Sequence, residues 1–167
     1  TKTVDLTDPV FEGTSVSISS EDICFIGVPS YGGRVPELCI DRLSKIDGNG
    51  AKAVAVAVYG NRAQEDTLLE LTDTLKEHGF KVIAGAALVA EHSIVRSIAR
   101  GRPDTEDQKQ IKVYAEKIWQ KINLGSIEEP DSIPGNRPYK KRGSSKMKIK
   151  VSNQCTKCGT CAAVCPI

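Results

Sequence analysis

The sequence has 167 residues, of which 40% are hydrophobic and 26% charged, with a formal net charge of +2. That size suits one ordinary domain with an appendage, and that composition suits a soluble globular chain. The near-balanced charge offers no bulk field for nucleic acid or an anionic membrane. No apolar run approaches the ~18 residues of a spanning helix.

The chain starts at Thr1 without a signal peptide's pattern and enters a strand-like stretch, residues 3–6, at once, so both ends read as cut. Turn-rich Thr7-Asp8-Pro9 follows. Residues 22–28 hold the run Ile23-Cys24-Phe25-Ile26-Gly27-Val28, whose lack of polar alternation predicts a strand covered on both faces. A short helix is predicted over 36–43, with Pro36 in its first turn. The second apolar strand is Ala53-Val54-Ala55-Val56-Ala57-Val58. A helix over 65–78 turns Leu68, Leu71 and Leu75 inward and stops at Gly79. Residues 81–88 form the third strand, and a helix over 106–122 shares Ile111, Ala115, Ile118 and Ile122 on one face.

This alternation predicts a doubly wound α/β sheet over residues 1–124. Residues 125–150 read as a linker, with Pro130, Pro134, Gly135, Pro138 and a basic run, Lys140-Lys141-Arg142, expected to be solvated. Residues 151–167 carry Cys155, Cys158, Cys161 and Cys165 followed by Pro166, the spacing C-x2-C-x2-C-x3-C-P by which bacterial ferredoxins hold cubane iron–sulfur clusters. Structural zinc usually takes two separated C-x2-C knuckles, a pattern this run does not follow. Gly159 and Thr160 bring small residues and backbone donors near the sulfurs. The other two cysteines, Cys24 and Cys39, sit in apolar segments and read as small buried hydrophobes. Free thiols of this kind fit a reducing cytoplasm.

In a doubly wound sheet, ligands bind beyond the carboxyl ends of the strands. Two loops fall there: Pro29-Ser30-Tyr31-Gly32-Gly33-Arg34-Val35-Pro36 and Tyr59-Gly60-Asn61-Arg62. Each joins an aromatic to glycine and ends in a basic residue. Either alone is an ordinary turn. Together they predict a site for a planar, redox-active ring, with Tyr31, Gly32, Gly33, Arg34, Tyr59, Gly60, Asn61 and Arg62 as its candidate residues. No Ser/His/Asp set, paired-carboxylate motif or dinucleotide fingerprint is present, so no catalytic residue is assigned.

The set Pro29-x-Tyr31-Gly32-Gly33-Arg34-x-Pro36, Val58-Tyr59-Gly60-Asn61-Arg62, Ala90-Glu91-His92-Ser93, Gly101-Arg102-Pro103-Asp104 and Pro134-Gly135-Asn136-Arg137-Pro138-Tyr139, ending in the cysteine run, resembles a bacterial and archaeal family. Its members fuse a flavodoxin-like domain to a two-cluster 4Fe-4S ferredoxin. The resemblance implies a flavodoxin-like sheet of order 2-1-3-4-5, FMN beside the two loops, and the start of a ferredoxin module at 151–167. His92 would stand near the end of the last strand, either facing the flavin or serving as a hydrogen-bonded structural histidine.

Two departures from the family bear on the reading. The phosphate-cradling loop between the first strand and first helix is absent, and Thr14-Ser15-Val16-Ser17-Ile18-Ser19-Ser20 precedes a strand instead of opening a helix. With residues 3–6 as strand 2, strand 1 is missing from mid-sheet, which leaves unpaired edges and a reduced core. Cys155, Cys158 and Cys161 would hold one cluster and Cys165 a second, each completed from elsewhere, so the chain alone is expected to hold iron weakly. The expected function is electron transfer between clusters and flavin with a redox partner protein. The alternative is a non-catalytic cluster module whose flavodoxin-like part docks or senses without flavin.

Overall fold

Residues 53–58 alternate alanine and valine, and the alternation builds the core. The computed structural model describes residues 2–11, 16–125, 128–143 and 150–165. Three parallel strands, β1 (Ile23–Pro29), β2 (Lys52–Tyr59) and β3 (Lys81–Val89), lie side by side in chain order. Ala53, Ala55 and Ala57 of β2 face α1 (Glu37–Leu43) and α2 (Thr67–Glu77), together with Cys24, Ile26 and Val28 of β1 and Leu68, Leu71 and Leu75 of α2. Alanine at the centre of that face lets the leucines of α2 sit close to the sheet. Val54 and Val56 point the other way, with Ile83 and Ala84, against Tyr114, Ile118 and Ile122 of α3 (Thr105–Asn123). A fourth helix, α4 (Thr160–Ala163), is a single turn among the cysteines.

The chain is therefore mixed α/β with a parallel sheet, as its apolar runs predict. The elements differ from expectation in detail. Residues 3–6 form no strand. Asp5 closes a turn by accepting from the Thr7 N–H and hydroxyl at 2.7 Å each, and the Leu6 carbonyl accepts from Arg42. β-Propensity over this short stretch yields to the local turn. Helix α2 begins at Thr67 because Glu65 has φ 47, outside the helical region. Pro36 stands as the residue before α1, and Gly79 ends α2 with φ 80 as expected. On α3 the buried stripe takes Tyr114 in place of Ala115, which is exposed. The Tyr114 hydroxyl donates to the Gly85 carbonyl at 2.6 Å and Lys121 Nζ to the Ile83 carbonyl at 3.0 Å. Both bonds tie α3 to β3, an outer strand of the described sheet.

The opposite edge is bare. Among the described residues nothing pairs with the outer side of β1, Phe25 is 65% exposed, and a side chain added at Gly27 would meet nothing within 4 Å. Of the polar segment 14–20, residues 14 and 15 lie outside the described residues, and 16–20 open no helix.

Candidate functional site

Register carries the three strand ends to one edge: Pro29 stands beside Val58, and Tyr59 beside Val89. The predicted loops meet there.

After β1, Tyr31 and Arg34 pair across Gly32 and Gly33, with Tyr31 N–H to Arg34 O at 3.0 Å and the reverse bond at 3.2 Å. Gly32 and Gly33 have φ 62 and 83, so the two-residue turn depends on residues without a Cβ. A Cβ on Gly33 would stand 2.1 Å from Glu65 Oε2, whereas one on Gly32 would meet nothing within 4 Å. The Tyr31 ring, 65% exposed, stands free at this edge.

Arg34 is held inside the chain. Its Nε and Nη2 donate to the two Glu70 carboxylate oxygens at 2.8 and 2.6 Å, and its guanidinium lies 4.9 Å from the Tyr139 ring centroid. The Glu70 bonds push its pKa further up, and Nη1 donates to the Lys140 carbonyl. Of the candidate arginines it is Arg62, with a side chain 68% exposed and a 3.4 Å contact to Glu65, that is free to turn toward a ligand.

After β2, Gly60 lies against His92, where a Cβ would fall 2.7 Å from His92 Cδ2. Asn61 takes φ 56. Ser30 ties the first two loops together, its N–H donating to Val58 O at 2.8 Å and its hydroxyl 2.7 Å from that of Thr67. Among the described residues, Gln64 Oε1 in the same loop is buried without a hydrogen-bond partner.

After β3, His92 Nδ1 accepts from the Ile94 and Val95 N–H groups at 3.2 and 3.1 Å. That nitrogen therefore holds the loop, and only Nε2 remains for a ligand. Glu91 binds Arg96 at 2.8 Å and the Gly101 N–H at 3.0 Å, and the Gly101 bond leads in holding its carboxyl below the usual range. Asp104 caps α3, accepting from the Glu106 and Asp107 N–H groups at 2.9 and 3.0 Å. Arg102 grips Asp107 with two nitrogens and draws its pKa down to about 2.

The four thiols of the cysteine run are free and exposed. Cys158 Sγ lies 3.3 Å from the Thr160 hydroxyl, which leads in lowering its pKa to about 7. Lys157 (φ 56) and Gly159 (φ 80) turn the backbone tightly between them. Among the described residues no three His, Cys, Asp or Glu side chains are gathered in metal-binding geometry. Pro166 and Ile167 lie outside the described residues.

One feature of the molecule lies outside the sequence expectations. Residues 133–142 are strapped along α2. The Asp66 carboxylate accepts from the Asn136 N–H at 2.8 Å, its side-chain amide at 3.2 Å and the Lys140 N–H at 2.6 Å. Asp73 takes both Arg137 and the Tyr139 hydroxyl, and Glu70 takes Arg142 at 2.7 Å. Arg142 also donates to the Val35 carbonyl, and Lys140 Nζ pairs with Glu65. Acids at positions 66, 70 and 73 and bases at 137, 140 and 142 are the signal in the sequence; it becomes legible once the helix and the face that residues 133–142 cover are known. Compared with protein-family models, curated proteins and solved structures, the chain matches none.

Proposed function

We propose that this chain transfers electrons between iron–sulfur clusters and FMN, as part of a cytoplasmic flavodoxin-like–ferredoxin protein serving a redox partner. The observation that carries the reading is the run Cys155, Cys158, Cys161 and Cys165. Its soft thiolate donors suit iron–sulfur clusters, and its spacing divides three ligands to one cluster and one to another. Two further observations support it. The parallel order β1-β2-β3 matches three adjacent strands, 3-4-5, of a 2-1-3-4-5 sheet. The edge where Tyr31, Gly32, Tyr59, Gly60 and Arg62 meet is the ligand edge of such sheets.

The residues present fit a flavin ring. Tyr31 offers an exposed aromatic face, Gly32 leaves open space above a turn, and Arg62 can approach negative charge on a reduced ring. When bound, the clusters and FMN would supply conversion between one- and two-electron steps. The chain's own residues would position the ring, and His92 Nε2 is the nearby nitrogen left free by the loop.

A flavin-free docking or sensing module is the second reading, and helix chemistry favours it. Each helix N-terminus at this edge already carries an acid: Glu37 on α1, Asp66 on α2 and Asp104 on α3. A phosphate would meet like charge at each of them. Arg34, a natural counter-ion, is spent on Glu70. Anaerobic purification of the full-length protein, with an absorption spectrum and iron, sulfide and flavin assays, separates the readings. Flavin bands with a broad cluster shoulder are expected, and Tyr31→Ala or Tyr59→Ala should then weaken flavin binding. Cluster without flavin establishes the second reading; neither cofactor overturns both.

A further inference from the structure

The cysteine run and the loop edge are far apart along the chain, and α3 carries the chain the wrong way. It descends from the loop edge, meeting Gly85 through Tyr114 and then Ile83 through Lys121. Over its 19 residues a helix of 1.5 Å rise travels roughly 28 Å, to the opposite end of the sheet. Tethered from there, about 32 residues of slack chain would separate the cysteines from the fold.

The strap reverses this displacement. Glu129 pairs with Lys76 near the far end of α2, Arg137 and Tyr139 with Asp73, and Asn136 and Lys140 with Asp66 at its first turn. Arg142 then meets the Val35 carbonyl and Glu70, beside the turn that carries Tyr31 and Gly32. Apolar packing supports the path: Ile133 lies over Gly85, and Gly135 sits on Leu69, where a Cβ would come within 2.6 Å. Asp66 and Glu70, 2% and 5% exposed, are sealed beneath it.

We propose that residues 133–142 are a tethering strap that brings the cysteine segment back to the loop edge, with Asp66 and Asp73 as positioning residues. From Arg142 only about thirteen residues lead to Cys155, a reach of at most about 45 Å instead of about 110 Å from the end of α3. Effective concentration falls as roughly the −3/2 power of tether length, so shortening from 32 to 13 residues raises it about fourfold. Starting from the correct end of the sheet adds to that. The functional meaning rests on the electron-transfer reading above; the strap itself does not.

The test uses the full-length protein with Asp66→Asn and, because a buried substitution can unfold the chain, the more exposed Asp73→Asn. Amide hydrogen exchange at Asn136 and Lys140 should be slow in the parent and at least tenfold faster in Asp66→Asn. Small-angle scattering should show a larger radius of gyration in either variant. In Asp73→Asn, which lies away from the loop edge, the rate at which electrons entering at the clusters reach the flavin should fall, by up to about fourfold, with flavin affinity and direct chemical reduction of the flavin unchanged. Unprotected Asn136 and Lys140 amides in the parent, or an unchanged transfer rate once exchange shows the strap open, overturn the proposal. A protein that carries no flavin removes the electron-transfer reading and leaves exchange and scattering to judge the strap.

Discussion

Residues 128–143 and 150–165 both lie outside the sheet and the three helices that cover it, yet they stand in opposite relations to the fold. The first is gripped at every few residues by α2, through Asp66, Glu70 and Asp73. The second is exposed at every described position, and its hydrogen bonds to described residues stay within a few positions along the chain. Irregular backbone becomes part of a domain when the scaffold presents a complementary pattern to it. Otherwise it must take its order from a ligand or a partner, as metal-binding loops do.

The contrast is broken most directly at Glu70. Its carboxylate, with a side chain 7% exposed, accepts from Arg34, from the Val35 N–H at 2.9 Å and from Arg142. Glu70→Ala would leave two guanidinium groups and a buried N–H facing one another without their acceptor. Removing one partner of such a buried pair costs roughly 3–5 kcal/mol. Urea denaturation should show the unfolding free energy falling by that amount, with the midpoint lowered at an unchanged slope. A loss below about 0.5 kcal/mol would mean the strap is a surface decoration, no more fixed to the fold than the cysteine segment.

A smaller perturbation is acid. The N–H of Lys140, then those of Asn136, hold the Asp66 carboxyl below its ordinary value of 3.8, with the charge of Arg34 adding to the effect. A group with a depressed folded pKa stabilises fully above its unfolded value and loses that contribution as pH falls through the folded one. The backbone amide resonances of Asn136 and Lys140 should therefore be steady from pH 7 to about 4 and shift together below it. Residues 150–165 contain no Asp or Glu, so their amides should show no acid transition in that range. Shifts beginning near pH 5 or above would contradict the assignment of Asp66 as the clamp.

The parts of the fold that were legible from sequence are those where one residue's role depends on its near neighbours. The run Ala53 to Val58 announces a buried strand by itself, and Leu68, Leu71 and Leu75 announce a helix face, because the periods of strand and helix lie in the spacing. Gly32 and Gly33 were legible as a turn for the same reason. What escaped depends on distant partners. Residues 3–6 have strand-like composition but are held in a turn that Arg42, far along the chain, grips at the Leu6 carbonyl. Arg34 reads as a ligand-seeking cation until α2 folds and sets Glu70 beside it. Lys140-Lys141-Arg142 is exposed, as its composition predicts, but the pairing of Lys140 with Glu65 and of Arg142 with Glu70 becomes legible only once α2 exists as a surface. His92 falls between: its position near a strand end was legible, but the capture of Nδ1 by its own loop was not.

The smallest expected effect is the sharpest probe of the contrast. Cys158 is exposed, and its nearest polar neighbour is Thr160, two positions away. Cys158→Ser changes one atom at an exposed place that makes no hydrogen bond to the described residues of the α/β unit, so the unfolding free energy should move by no more than about 0.5 kcal/mol in either direction. The same substitution replaces a soft thiolate with a hydroxyl that binds iron poorly at neutral pH. Iron and sulfide content of the full-length protein should then drop well below that of the parent while urea unfolding of the α/β unit stays the same. A parallel loss of stability in the α/β unit would show that the cysteine segment is packed against it, and the difference between the two irregular regions would then be one of degree. Unchanged iron content would instead remove Cys158 from the ligand set and, with it, the observation on which the electron-transfer reading stands.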